Sequence, residues 1–291
     1  MAHRAESGPV TAVVDRSFID QLAAVWDSIT RLGAGLTTDE WHLPTDCPGW
    51  TVQDQLAHMT GTESSLAGQP EPDLADSTER PGHVHNDLGA FNEAWVEHFR
   101  DFPPEQLLTQ FTTVTDRRLR DLRSMSEEQL EEQTASPVGT VPYHEFMRVR
   151  VMDCWVHEQD IRTATGRPGG MDNAAAGAAI DRQLQTLGYV VGKKVQPPEG
   201  TVVVIHVDGP LQRIRAVQVS DGRARPVAAP GDLTTETKVG VTAEVRTDTE
   251  TFGRLAAGRW TAEVAEDSGL VRLAGDVQLG RAVLESLATT P

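Results

Sequence analysis

Residues 143–165 read YHEFMRVRVMDCWVHEQDIRTAT, and GRPGG follows at 166–170. The first run predicts a long helix, and the glycines and proline behind it stop that helix firmly. Asp153 and His157 lie four residues apart, so both side chains leave one face, one turn from each other. A carboxylate and an imidazole at this spacing can share a metal ion, although a solvated acid–histidine pair has the same spacing. Trp155, Val156 and Ile161 mark apolar surroundings, while Arg150, Asp153, His157 and Asp160 fall on one line of the helix. Buried charges need partners or a metal, so that line either faces solvent or serves a site.

Upstream, the pattern is helical throughout. Asp15 to Leu36 carries Phe18, Leu22, Val25, Trp26, Ile29 and Leu32 at helical spacing. After turn signals at Pro44, Pro48 and Gly49, Thr51 opens a second helix, with Asp54 completing an acidic capping box. In that helix Val52, Leu56, Met59 and Leu66 make the core stripe, and His58 stands at its edge as the third candidate ligand. A pairing with Asp54, or a hydrogen-bonded histidine at the rim, would explain His58 equally well. The stretch 68–87, rich in prolines and acids, reads as a surface loop. Leu88 to Phe102 forms a third helix, and Pro103-Pro104 restarts another that runs to about Met125. Long helices joined by loops predict a four-helix bundle over residues 12–168.

The chain changes character after residue 172. A linker helix (about 173–191) leads into the β-branched run Thr201 to Val207. Arg213 to Val219 reads as a half-exposed strand with its arginines outward, and Asp221-Gly222 as a hairpin turn. Lys238 to Arg246 and 270–274 are further strands; 248–258 and 276–288 are helices. Residues 172–291 are thus expected to form a smaller α+β domain with an antiparallel sheet, and the fold class is α+β with two domains.

The 291 residues carry a net charge of −17, which disfavours nucleic acid and anionic membranes as partners. No run approaches the roughly 20 apolar residues that span a bilayer. The first sixteen residues contain no apolar segment of the secretory kind, so a cytoplasmic protein is expected. Only Cys47 and Cys154 occur, and reduced thiols are the default. Cys47, in a bend near a helix N-terminus, reads as an activated thiol or, better, as a packed loop cysteine. Cys154 should point away from Asp153. Among the other histidines, His83 and His85 form a His-Val-His unit that could hold metal or line a pocket mouth; His42, His98 and His144 look like surface residues.

The segments Cys47-Pro48-Gly49-Trp50-Thr51-Val52 and Leu56-Ala57-His58 resemble the second-helix motif of the mycothiol-dependent maleylpyruvate isomerase family, within the DinB-like metalloenzymes. His83 to Gly89 is similar to that family's loop before the third helix. Val156 to Ile161, ending in Ala164 to Pro168, is similar to its metal-binding helix. Residues 253–259 and 273–276 resemble its sterol-carrier-protein-like C-terminal domain. The resemblance implies a divalent metal, with zinc the expected ion, held by His58, Asp153 and His157. The family usually places glutamate where this chain has Asp153, one methylene shorter.

The resemblance further implies mycothiol as thiol cosubstrate, with His85 and Arg150 assigned to it. A thiol on a cation loses its proton near neutral pH. Addition of the metal-bound thiolate to a small electrophile would make the protein an isomerase or an S-transferase. Arg259, with Arg254 as competitor, is where the family would place a cation beside the metal; both also read as surface arginines. The alternative from another class is a non-enzymatic regulatory protein that binds metal or an apolar ligand. A monomer or homodimer is expected.

Overall fold

The computed structural model describes residues 13–72, 81–228 and 240–289. The N-terminal part comprises α1 (Ser17–Ala34), α2 (Thr38–Trp41), α3 (Val52–Leu66), α4 (Asp87–Arg100), α5 (Pro104–Ser124) and α6 (Glu127–Glu131). A small antiparallel hairpin, β1 (Gln133–Ser136) and β2 (Gly139–Pro142), then delivers the chain into α7 (Tyr143–Ala164). Among the described residues, no helix is long and apolar enough to cross a membrane.

Helix α1 packs on α5 and α7, and α3 packs on α4, α5 and α7. The stripe on α1 is buried as its period requires, from Phe18 to Leu32. Helix α3 behaves differently. It is enclosed on three sides, and every residue from Val52 to Gly61 is buried. His58, placed at the edge of a stripe by the sequence, is therefore only 3 % exposed. The helix begins as the capping box predicts, with Thr51 Oγ1 accepting from the Asp54 amide and the Asp54 carboxylate accepting from the Thr51 N–H. Pro104 occupies the first turn of α5, where its missing N–H costs no bond.

The chain continues through α8 (Ala174–Gln185), α9 (Leu187–Tyr189) and a π-helical turn at Val190–Val195. A five-stranded sheet follows: β3 (Val202–Asp208), β4 (Arg213–Ser220), β5 (Arg223–Val227), β6 (Ala243–Asp248) and β7 (Arg272–Gly275). Helices α10 (Thr249–Ala256) and α11 (Ala262–Asp267) lie between β6 and β7, and α12 (Val277–Glu285) ends the fold.

The strand order is β5-β4-β3-β6-β7. Three of its four pairings are antiparallel, as expected, but β3 and β6 run parallel. Two hairpin reversals bring β5 back to the direction of β3, and β6 keeps that direction on the other side of β3. The onset expected for β6 at Lys238 lies outside the described residues. The β4–β5 turn has positive φ at both Asp221 (54°) and Gly222 (66°), the backbone of a type I′ hairpin.

One detail of β4 is reversed from expectation. Ile214 is exposed, and Arg213 reaches Asp181 on α8, with Nε–Oδ1 at 2.6 Å. Arg213 and Arg215 thus share the parity of the buried Val217 and Val219. An ion pair at the sheet margin lets an arginine occupy the helix-facing side.

The apolar core is continuous between the helices and the sheet. Trp155 of α7, Ile180 of α8, Val203, Ile205 and Val207 of β3, and Phe252 of α10 belong to one cluster. A Cβ on Gly253 would stand 3.0 Å from the Trp155 ring, so α10 meets α7 at a place where only glycine fits without adjustment. The Trp155 indole N–H also donates to the Gly170 carbonyl at 2.8 Å, fastening the coil between α7 and α8.

Candidate metal centre

His58 of α3 and Asp153 and His157 of α7 converge. One ligand atom from each lies within 4.8 Å of the others. His58 Nε2 is 3.3 Å from Asp153 Oδ2, and His157 Nε2 is 3.6 Å from Asp153 Oδ1. Bonds of ~2.1 Å at tetrahedral angles separate donors by roughly 3.4 Å, so the residues fit a zinc-sized divalent ion. The Asp153 charge is already balanced by Arg150. What points to a cation is two imidazoles turned on one carboxylate in a site where both rings are buried.

A shell of polar residues holds the three. Arg150 donates through NH1 to Asp153 Oδ2 at 2.5 Å, through Nε to Glu63 Oε1 at 2.9 Å and through NH2 to the Cys154 sulfur at 3.5 Å. Glu63, fully buried, receives Arg118 on its other oxygen at 3.1 Å. In the row Asp153–Arg150–Glu63–Arg118 each charge has an opposite neighbour, as burial demands. His157 Nδ1 faces Gln55 Oε1 at 2.5 Å and Asp160 Oδ2 at 3.5 Å. An acceptor behind a ligand histidine orients its ring and raises its basicity.

Trp50 forms a wall over both rings, with centroids 5.2 Å from His58 and 5.9 Å from His157. Its indole N–H donates to Glu93 Oε2 at 3.0 Å, the same oxygen that meets His83 Nε2 at 3.0 Å. The His83 ring lies across Gly49, where φ is +80° and a Cβ would come within 2.5 Å of Nδ1. Glycine is required there twice over, by conformation and by contact.

The sheet-bearing part closes another side. Arg259, in the loop after α10, holds Asp160 with both Nε and NH2, at 3.0 and 2.7 Å. Arg254 binds Asp46 at 3.0 Å and Thr163 Oγ1 at 2.7 Å, and lies over the Trp260 ring. A cleft lined by Asp46, Gln159, Asp160, Arg254 and Arg259 runs along this seam.

These surroundings set the charges. Burial pushes the His58 pKa down to about 4, outweighing Asp153, so His58 is neutral at ordinary pH. Burial also opposes a proton on His157, but Asp153 and Asp160 outweigh it and raise the pKa. For Asp153 burial favours the acid form, and Arg150 with the two imidazoles overcomes this, holding the carboxyl well below the usual range. Burial pushes the Cys47 thiol up to about 11 and that of Cys154 to about 12. Neither is a thiolate at neutral pH, which favours the packed reading of Cys47.

The polar line foreseen on α7 is present as one connected row, Arg150–Asp153–His157–Asp160, and ends on Arg259. Cys154 turns away, toward the Trp26 indole N–H at 3.3 Å. Arg150, assigned from the sequence to the thiol, is 3 % exposed with all three nitrogens engaged, so it stands behind Asp153. His85 is exposed in the loop before α4, and its neighbour His83 is the one that turns inward. Gln55, Glu93 and Trp50 were not foreseen; the Trp50 motif was legible, but its contact with both imidazoles depends on packing.

Residues 22–162 match the family model described as the mycothiol maleylpyruvate isomerase N-terminal domain. The uncharacterized proteins Rv0036c and MT0041 of two Mycobacterium tuberculosis strains are each 23% identical over 188 residues, covering 64% of this chain and 71% of theirs. The crystal structure of the mycothiol-dependent maleylpyruvate isomerase superposes with a TM-score of 0.53, and that of a histidine-to-alanine mutant of it with 0.55. Both are 16% identical, and the match covers 89% of this chain and 92% of theirs, a likeness of fold. Through residues 22–162 the chain is thus similar to the mycothiol maleylpyruvate isomerase N-terminal domain.

Proposed function

We propose that this protein is a divalent-metal- and mycothiol-dependent enzyme of the cytoplasm, an isomerase or S-transferase acting on a small electrophile. In this reading a DinB-like four-helix bundle carries the metal and the sheet-bearing part forms a second domain. The observation that carries it is the convergence of His58, Asp153 and His157 beside Arg259, which comes from the other half of the chain. His58, Asp153 and His157 would hold a divalent cation, zinc by the donor set, and such an ion would lower the pKa of a thiol bound to it.

The chain's own residues supply the rest. Arg150 keeps Asp153 ionised, and Trp50 keeps water from one side of the rings. Arg259 supplies a cation in a strongly acidic protein, where an anionic substrate needs one. In the present arrangement Asp160 holds that guanidinium, so a substrate carboxylate must share it. The mycothiol sulfur, as thiolate, would add to one carbon of an activated double bond while the π pair moves onto the activating carbonyl as an enolate. Rotation about the resulting single bond and expulsion of the thiolate as the double bond re-forms would complete an isomerisation; uptake of a proton at the enolate carbon, with the carbon–sulfur bond retained, would make the reaction a transfer.

The test is turnover by the zinc-loaded chain with mycothiol and maleylpyruvate. Isomerised product that needs both thiol and metal supports the isomerase reading, and a stable thioether supports transfer. If neither product forms under these conditions, the proposal is contradicted. Arg259→Ala should keep its metal and lose roughly ten- to a hundredfold in kcat/KM, the worth of one charge-assisted contact.

A further inference from the structure

Thr45 and Gln55 carry no charge themselves, yet they connect the turn at Trp50 to His157. We propose that the sequence Trp50 carbonyl, Thr45 hydroxyl, Gln55 amide is a relay that sets the tautomer of His157, so that its Nε2 lone pair faces the ligand cluster. The relay's polarity follows from its first member. A carbonyl can only accept, and Thr45 Oγ1 lies 2.8 Å from the Trp50 oxygen, so the single hydroxyl proton is directed there. Oγ1 must then accept, and it does so from Gln55 Nε2 at 2.7 Å and from the Cys47 N–H at 3.3 Å.

The amide is thereby oriented, with Nε2 toward Thr45 and Oε1 toward His157. Oε1 carries no hydrogen, so the contact at 2.5 Å requires the proton to sit on Nδ1 of His157. A neutral imidazole has one N–H, which leaves Nε2 with the lone pair on the side of Asp153. Rotating the amide by half a turn would set two acceptors, Gln55 Oε1 and the Trp50 carbonyl, against one hydroxyl proton. It would also aim an N–H at Nδ1, with Asp160 Oδ2 still 3.5 Å from that nitrogen. Gln55 is fully buried, so water cannot replace it. Among the described residues His58 has no counterpart to this relay, because its Nδ1 has no hydrogen-bond partner there.

Gln55 and Thr45 are accordingly positioning residues, acting through His157. The tautomer claim stands without the metal; only its effect on affinity rests on the metal reading. Long-range ¹H–¹⁵N NMR of the metal-free full chain, at alkaline pH where the imidazoles are neutral, reads the tautomer directly. Wild type, Thr45→Ser and Gln55→Glu should show His157 with its proton on Nδ1. Gln55→Leu and Thr45→Val should lose that exclusive state, and zinc affinity measured by chelator competition should fall about tenfold or more in both. Gln55→Glu, which keeps the acceptor, should retain affinity.

A wild-type His157 protonated on Nε2 overturns the proposal, as does an unchanged tautomer in a folded Gln55→Leu chain. If Gln55→Leu does not fold, Thr45→Val, which replaces one hydroxyl by a methyl, decides in the same way. A wild-type chain that shows the Nδ1–H pattern but binds no zinc supports the relay and contradicts the metal site.

Discussion

His58 and His157 have ring centroids 4.7 Å apart, yet the protein treats them in opposite ways. His157 is backed by Gln55 and Asp160, and its pKa is raised. Among the described residues His58 Nδ1 has no hydrogen-bond partner, and burial draws the His58 pKa down to about 4. The difference lies behind the rings. The α7 side of the pocket ends in an acid row that continues to Arg259, whereas the α3 side is enclosed by other helices. A residue type at a given spacing therefore marks a candidate ligand, and the groups behind it decide how that residue holds its proton.

Replacing each ring with leucine tests this contrast most strongly. His157→Leu strands the buried Gln55 Oε1 and removes a partner of Asp160, so the metal-free chain should lose about 1–3 kcal/mol in urea unfolding. His58→Leu removes an imidazole that already lacks one bond, and should stay within about 1 kcal/mol of wild type. Equal losses would mean that the backing of His157 contributes nothing to stability.

The second test is the pH dependence of metal binding. A ligand imidazole must be neutral. His58 has lost its proton above about pH 4, while His157, raised above the ordinary imidazole value of ~6.5, keeps its proton to higher pH. Between about pH 5 and 6.5, binding should release one proton, so log affinity should rise by about one per pH unit. A slope of two would put the rings on an equal footing. As pH falls through the depressed pKa of Asp153, the carboxylate protonates and its contribution to folding is lost.

The smallest effect concerns the wall common to both rings. His83→Ala removes one of the groups on Glu93 but leaves Trp50 and Arg100 bound to it. The cost should be about 0.5–1 kcal/mol, read from urea unfolding, with little change in metal affinity. A large loss of affinity would show that the loop sets the position of Trp50.

Much of this arrangement could be read from one dimension. The row on α7 follows from helical period alone, and the start of α3 from its capping box. The Asp221-Gly222 turn follows from the positive φ it demands. What escaped depends on distant partners. Gln55 meets His157 across 102 positions, and Arg259 meets Asp160 across 99. No local pattern marks such pairs. The same holds for the parallel β3–β6 pairing, since alternation along a strand does not name its neighbour, and for Arg213, whose inward placement requires Asp181. Helix α3 misled in another way: enclosed on three sides, it has no solvent face for an amphipathic pattern to reveal.

The central claim is that one ion is shared by α3 and α7, and metal stoichiometry tests it most directly. Zinc content of the full chain after loading and exhaustive dialysis should be close to one per chain in wild type and near zero in His157→Ala, with both proteins folded. Full zinc occupancy in the His157→Ala chain would contradict the account.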